Sequence, residues 1–275
     1  MTALTAPASR AGRLRWALTD GITLIGRELG HLRQAPGELV AALIFPAVMV
    51  VLFGYVFGSA ISVPGGGDYR EYLMPGLFAM VTFTSMMAVT LRVATDASRG
   101  VMDRFRSMPM ARSAVPFGQT GAEILSGVLS LVIMAVAGLL VGWRAREGIW
   151  HTAEAFLLLA LMRYALSWAG CYLGLVVKNE QTADQLIPLV FPVTMLSNSF
   201  VPTAGMPAVL RVIADWNPVS ALTAACRGLF GNPGAPSGDL AWPLAHPVAA
   251  TIGWSLLLLA VFAPLSVRTY RVRGR

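Results

Sequence analysis

Six apolar segments dominate the chain and limit what it can fold into: residues 39–58, 73–93, 115–141, 153–177, 186–201 and 247–267. About 20 helical residues cross a hydrocarbon core of ~30 Å. In lipid every backbone N–H and C=O needs a partner within the protein, which a helix supplies. The composition agrees: 56% of residues are hydrophobic, 13% are charged and the mean hydropathy is +0.64. A soluble domain carries about 25% charged residues, so a large soluble core is excluded. The expected fold is an all-α integral membrane protein, one domain over residues 1–275, with six transmembrane helices.

The intervening stretches are not plain loops. Residues 10–36 set Arg10, Arg13, Arg15, Arg27 and Arg33 among Leu14, Leu18, Ile22, Ile25, Leu29 and Leu32. Those apolar positions step by three or four, the spacing of one helical face. The stretch is too polar to span. It fits an amphipathic helix lying along the cytoplasmic membrane surface, its arginines near anionic headgroups, which makes membrane lipids an expected partner. Pro46 inside the first span is tolerated where neighbours satisfy the freed carbonyl. The fifth span is short and broken by Pro188 and Pro192. Beyond it, 207–216 and 218–230 are short amphipathic segments separated by Asn217-Pro218, with Pro218 suited to a first helical turn. They predict external helices that re-enter the membrane between spans five and six.

Six spans put both termini on one side, and the basic residues say which. One side holds the five arginines of 10–36, then Arg99, Arg104, Arg106 and Arg112, then Lys178, and finally Arg268, Arg271, Arg273 and Arg275. The other holds Arg70, Arg144, Arg146, Arg211 and Arg227, while Arg92 lies at a boundary and Arg163 within a span. The positive-inside rule therefore predicts a multi-pass protein of the plasma membrane with both termini cytoplasmic. The net charge of +7 follows topology, and nucleic acid is not an expected partner. No removable signal peptide is expected at the start of the chain.

Several chemistries lack their residues. Lys178 is the only lysine and follows Val177, so there is no phosphate-binding G-x-x-x-x-G-K-[ST] loop and no P-loop ATPase. His31, His151 and His246 are scattered, and Cys171 and Cys226 are far apart, so neither a metal site nor a disulfide framework is expected. No nucleophile elbow is present, and no catalytic residue or resident cofactor is assigned. Two ionisable residues fall within spans and are functional candidates on that ground: Glu123 and Arg163. Their helices are consecutive and antiparallel, but the expected depths differ by about two turns. Two readings stay open, an intramembrane pair, or an interfacial Glu123 with Arg163 snorkelling outward.

The most charged stretch between two spans is 98–112, SRGVMDRFRSMPMAR. Arginines and an aspartate alternate there with Met102, Phe105, Met108 and Met110, the pattern of a short cytoplasmic helix that touches a partner. Three stretches carry a resemblance to a known family: RGVMDRFRSMPMARSAVPFGQ (99–119), FPVTMLSNSFVPTAGMPAVLRVIADWNPVSALTAACRGLF (191–230) and LIFPAVMVVLFGYVFGSAI (43–61). Together they resemble the permease subunits of type-2 ABC exporters, in particular the daunorubicin-resistance (DrrB-like) permease group of actinobacteria. The likeness covers most of residues 13–270.

That resemblance implies a six-helix permease that pairs with a second copy or a similar permease. Separate ATPase subunits would bind ATP and Mg, and the chain would move amphipathic drug-like or lipid-like compounds out of the cell. The coupling helix would be 98–112, with Arg99, Met102, Asp103, Arg104, Phe105, Arg106 and Met108 against the ATPase. The substrate path would lie at the dimer centre, near spans one, two and five. Its candidate residues are Phe78, Phe83, Met86 and Met87 in span two and Phe191, Met195, Asn198 and Phe200 in span five. Methionine and aromatic side chains repack around differently shaped apolar ligands. The competing class is a proton-coupled secondary drug transporter, which would use Glu123 as its essential acid.

Overall fold

The computed structural model describes residues 44, 48, 50–52, 63, 66–100, 114–177, 179–186, 188, 190–234 and 240–272. The interfacial segment 10–36, most of the first span and residues 101–112 of the charged segment lie outside them. Four long helices carry the described part: α1 (Tyr69–Ser98), α2 (Ala114–Val141), α3 (Gly148–Val176) and, at the end of the chain, a helix over Pro247–Val272. Between the last two come α4 (Glu180–Asp184), α5 (Val190–Met195), a 3-10 turn (Thr203–Gly205), α6 (Ala208–Trp216), α7 (Pro218–Phe230) and α8 (Trp242–Ala245), which makes the final helix α9. All four long helices are long and apolar enough to cross a membrane.

Local chemistry sets the ends. Gly66 and Gly67, at φ 79° and 108°, make the turn that brings the chain to Asp68. The Asp68 carboxylate caps α1 by accepting from the Arg70 backbone N–H at 2.9 Å. Asn217 caps α7 through the Val219 N–H, Pro218 fills the first helical position, and Gly231 ends the helix in the left-handed region.

Helix α1 is the spine. It is buried on nearly all sides, against α2, α3, α5 and α7. Its crossing with α3 is made by glycine. A Cβ at Gly170 would lie 2.3 Å from the Met86 carbonyl oxygen, and one at Gly174 would lie 2.6 Å from that of Thr90. The Thr90 hydroxyl donates to the Gly170 carbonyl at 3.2 Å. Small residues allow this close approach where lipid offers no hydrophobic drive between helices. Helices α1, α3 and α9 run in one direction and α2 returns, as Asp96–Gln119 and Met74–Gly138 contacts require. Helices α2 and α9 show exposed apolar faces (Val128, Val132 and Val136; Ile252, Leu256 and Val261), which suits lipid contact. Trp143, Trp150, Trp216 and Trp242 all belong to one end of the bundle, the tryptophan end. The other, linker end holds Ser98 and Ala114, between which the charged segment runs.

The segment bounds differ from those expected. Span two begins four residues earlier and ends at Ser98, so the charged segment starts inside α1, with Arg99 as its C-cap. Helix α3 starts at Gly148 instead of 153. The fifth segment, 186–201, expected to be short and broken by its prolines, is interrupted: α5 covers Val190–Met195, and residues 196–201 form a non-helical turn. Pro192 removes an N–H, and side chains from elsewhere hold the turn, as described below.

Candidate functional site

Two polar centres are buried in this apolar bundle. The first joins α1, α2 and α3 toward the linker end. Glu123, 2% exposed, lies between two arginines. Arg163 Nη2 donates to Glu123 Oε1 at 2.6 Å, and Arg92 Nη2 pairs with Oε2. Arg163 Nη1 also donates to the Val81 carbonyl at 3.0 Å. Gly127 makes room: a Cβ there would lie 2.2 Å from Arg163 Nε. A turn further on, Gln119 donates to Asp96 at 2.8 Å, the second polar tie between α1 and α2. Intramembrane arginine costs about 2.5–3.5 kcal/mol on insertion scales, so the pairing is what keeps Arg163 there. The depth mismatch expected from sequence is reduced by the early start of α3. Five further residues before Arg163 move it about 7.5 Å along the axis at ~1.5 Å per residue.

The second centre is the turn after α5, near the tryptophan end. Its backbone groups are taken up by α1 and α7. Tyr72 Oη and Arg227 Nη2 both donate to the Asn198 carbonyl, at 3.0 and 2.9 Å. Arg227 Nη2 also donates to the Ser199 carbonyl at 3.0 Å, and Tyr69 Oη to that of Phe200 at 2.8 Å. The Asn198 N–H donates to Ser220 Oγ, and Ser199 Oγ contacts Thr223 Oγ1, both at 3.0 Å. Asn217 Nδ2 reaches the carbonyls of Val193 and Leu196 at 2.8 Å. The Arg227 guanidinium carbon lies 3.6 Å from the Tyr72 ring centroid, a cation–π contact. Gly76 admits the turn against α1: a Cβ there would lie 2.6 Å from the Ser199 carbonyl oxygen.

The sequence candidates divide between these surroundings. Phe78 is fully buried among Trp143, Phe156 and Phe230, with ring centroids 5.3–5.8 Å away, in the core of the protomer. Phe83, Met87, Asn198 and Phe200 are buried, Met86 and Met195 are half-buried, and Phe191 is exposed. Helices α1 and α5 touch, so Met86 and Met87 belong to the helix against which Phe191 and Met195 are carried. Arg99 caps α1, while Met102, Asp103, Arg104, Phe105, Arg106 and Met108 lie outside the described residues. Among the described residues no three His, Cys, Asp or Glu side chains converge as metal ligands would.

Two site residues escape a sequence reading. Arg92, at the edge of its segment, turns out to share Glu123. Arg227, grouped by sequence with the external loop charges, is 1% exposed. The signal was present: Ser220, Thr223 and Arg227 step by three and four, so they form one polar face of a helix. Helix α7 is buried on every side from Val219 to Arg227, and this face meets the turn at 198–199.

A bundle of span-length helices with lipid-type faces and buried, paired charge is an integral membrane protein in class. Comparison with known proteins narrows it. The profile of the ABC-2 type transporter family matches residues 20–230, and the chain belongs to that family. It is 30% identical, over 97% of its length and 95% of the relative's, to the daunorubicin resistance ABC transporter permease protein DrrB1 of Streptomyces coeruleorubidus. It is 25% identical to the doxorubicin resistance ABC transporter permease protein DrrB of Mycobacterium tuberculosis, over 82% and 80% of the two chains. It is 24% identical to the probable multidrug ABC transporter permease YbhR of Escherichia coli, over 68% and 51%. The chain is a permease subunit of an ABC exporter.

Proposed function

We propose that this permease exports amphipathic compounds, drug-like or lipid-like, across the plasma membrane, driven by a separate ATPase that binds ATP and Mg and docks on residues 98–112. Both termini and the linker end face the cytoplasm, and the tryptophan end faces outward. The charge distribution supports that orientation, since the linker end takes most of the arginines. The observation that carries the reading is the tie between the two helices flanking the docking segment. Arg92–Glu123–Arg163 and Asp96–Gln119 fasten α1 to α2 and α3 within a few turns of that segment. A push on the segment then moves three spans together, and nothing on this chain has to hydrolyse ATP.

The cargo would pass along the α1–α5 face, where Met86 and Met195 are half-buried and Phe191, Val193 and Val201 are exposed. A second permease, identical or similar, would close the path from the other side. The proton-coupled alternative is disfavoured by the surroundings of Glu123, whose two carboxylate oxygens are both engaged by arginine. Arg104→Glu or Phe105→Asp is expected to lower both export and substrate-stimulated ATPase activity while membrane insertion stays normal. Wild-type complex formation and export in both variants would refute the docking role.

A further inference from the structure

Arg227 is a buried cation whose described partners include no acid. It is 1% exposed, and among the described residues its guanidinium is held by carbonyl oxygens and a tyrosine face. Such a group costs several kcal/mol to bury unless something compensates, so its position needs a reason. The compensation comes from the turn itself. The non-helical turn after α5 has backbone carbonyls that need partners. Arg227 serves two consecutive ones, Asn198 and Ser199, with a single nitrogen at 2.9 and 3.0 Å. Its Nε reaches the Tyr72 carbonyl at 3.2 Å, which fixes the guanidinium plane against α1. Thus one side chain from α7 holds the break in the fifth segment against the spine helix.

The same turn contains a second anomaly. Asn198 is 5% exposed, and its side-chain oxygen is buried with no hydrogen-bond partner among the described residues. The carbonyls of Asn198, Ser199 and Phe200 are served by Tyr72, Arg227 and Tyr69, yet this acceptor is left over. An unserved buried acceptor costs about 1–3 kcal/mol, and a well-satisfied turn gains nothing by keeping one. Half-buried Met195 and Leu196 and exposed Val201 neighbour it in the chain, in the segment proposed to face the cargo.

We infer that Arg227 is a positioning residue for cargo recognition: it fixes the 197–200 turn so that the Asn198 amide oxygen accepts a hydrogen bond from a hydroxyl or amine of the transported amphiphile. This rests on the exporter reading above. Arg227 touches no cargo and acts through the Asn198 and Ser199 carbonyls.

The test uses inverted membrane vesicles holding the full chain and its ATPase subunit, with two probes. Daunorubicin carries hydroxyl and amine donors; tetraphenylphosphonium is an amphipathic cation with none. Arg227→Lys keeps the charge and loses the planar fork. It should raise the half-saturating concentration of daunorubicin about three- to tenfold, the size of one hydrogen bond. The maximal rate and the handling of tetraphenylphosphonium should not change. Asn198→Ala should do the same, and the double variant should be no worse than either single one. If Arg227→Lys fails to reach the membrane, Tyr72→Phe removes another donor to the Asn198 carbonyl and carries the same expectation in weaker form. Equal loss for both probes through the maximal rate, or effects of the two substitutions that add, would overturn the inference. So would unchanged daunorubicin saturation in Asn198→Ala. Wild-type vesicles that export neither probe would contradict the exporter reading itself, a result distinct from all of these.

Discussion

The two ends of the bundle bury positive charge in different ways. Toward the linker end, Arg92 and Arg163 share one carboxylate, Glu123. Toward the tryptophan end, Arg227 has carbonyl oxygens and an aromatic face. An ion network depends on every member, because removing one partner leaves charge exposed to an apolar medium. A carbonyl cradle is less brittle, since its acceptors are dipoles belonging to the backbone. The first arrangement ties helices into one body; the second shapes a turn. That division would suit the proposed ATPase docking at one end and the proposed cargo contact near the other.

The contrast can be broken by substitution. Glu123→Ala leaves buried Arg163 and half-buried Arg92 without their acid and should cost about 3–5 kcal/mol, chiefly through Arg163, read as a large fall in the thermal midpoint of the detergent-solubilised protein. Arg227→Met removes the cation together with its desolvation cost. It leaves chiefly the Ser199 carbonyl unserved, because Tyr72 still donates to that of Asn198. Its expected cost is about 1–3 kcal/mol. If Arg227→Met proved as destabilising as Glu123→Ala, the distinction between network and cradle would fail.

Smaller effects sharpen the picture at the rim. Asp68→Ala removes the α1 cap and should cost about 1 kcal/mol. The Arg70 side chain beside Asp68 holds its carboxyl below the ordinary value of 3.8. A lowered folded-state value means that this contribution is complete above the ordinary carboxylate range and fades only as pH falls below it. Melting curves of wild type and Asp68→Ala should therefore converge only in strong acid. The Glu71–Arg146 pair, 2.6 Å apart, has its arginine 63% exposed. Glu71→Gln should change stability by less than about 1 kcal/mol, and the difference should shrink further in high salt.

Much of this was legible in the sequence, for identifiable reasons. Apolar length alone reveals α1, α2, α3 and α9, since any span needs it. Asn217-Pro218 marks the junction of α6 and α7, because an N-cap followed by proline at the first helical position has a local cause. Glu123 and Arg163 stand out as charge within apolar runs. What was not legible depends on crossings between distant segments. That Arg92 reaches Glu123 requires knowing how α1 and α2 face each other. The Gly170–Gly174 spacing is a small-xxx-small pattern and could have been read as a close crossing, but nothing local says that α1 is its partner. Pro188 and Pro192 mark a break in the fifth segment, but hydropathy does not say that residues 196–201 form a turn whose carbonyls are served by tyrosine and arginine. Arg227 was misleading for the opposite reason: a charged residue in an external segment looks solvated, and only its tertiary partners bury it.

The energy source separates an ATP-driven exporter from a proton-coupled one. The direct measurement is daunorubicin accumulation in inverted vesicles containing this permease with and without its ATPase subunit, each with and without a proton uncoupler. The expected result is accumulation that requires both ATP and the second subunit and is unaffected when the proton gradient is collapsed. Accumulation by the permease alone, abolished by the uncoupler, would contradict it.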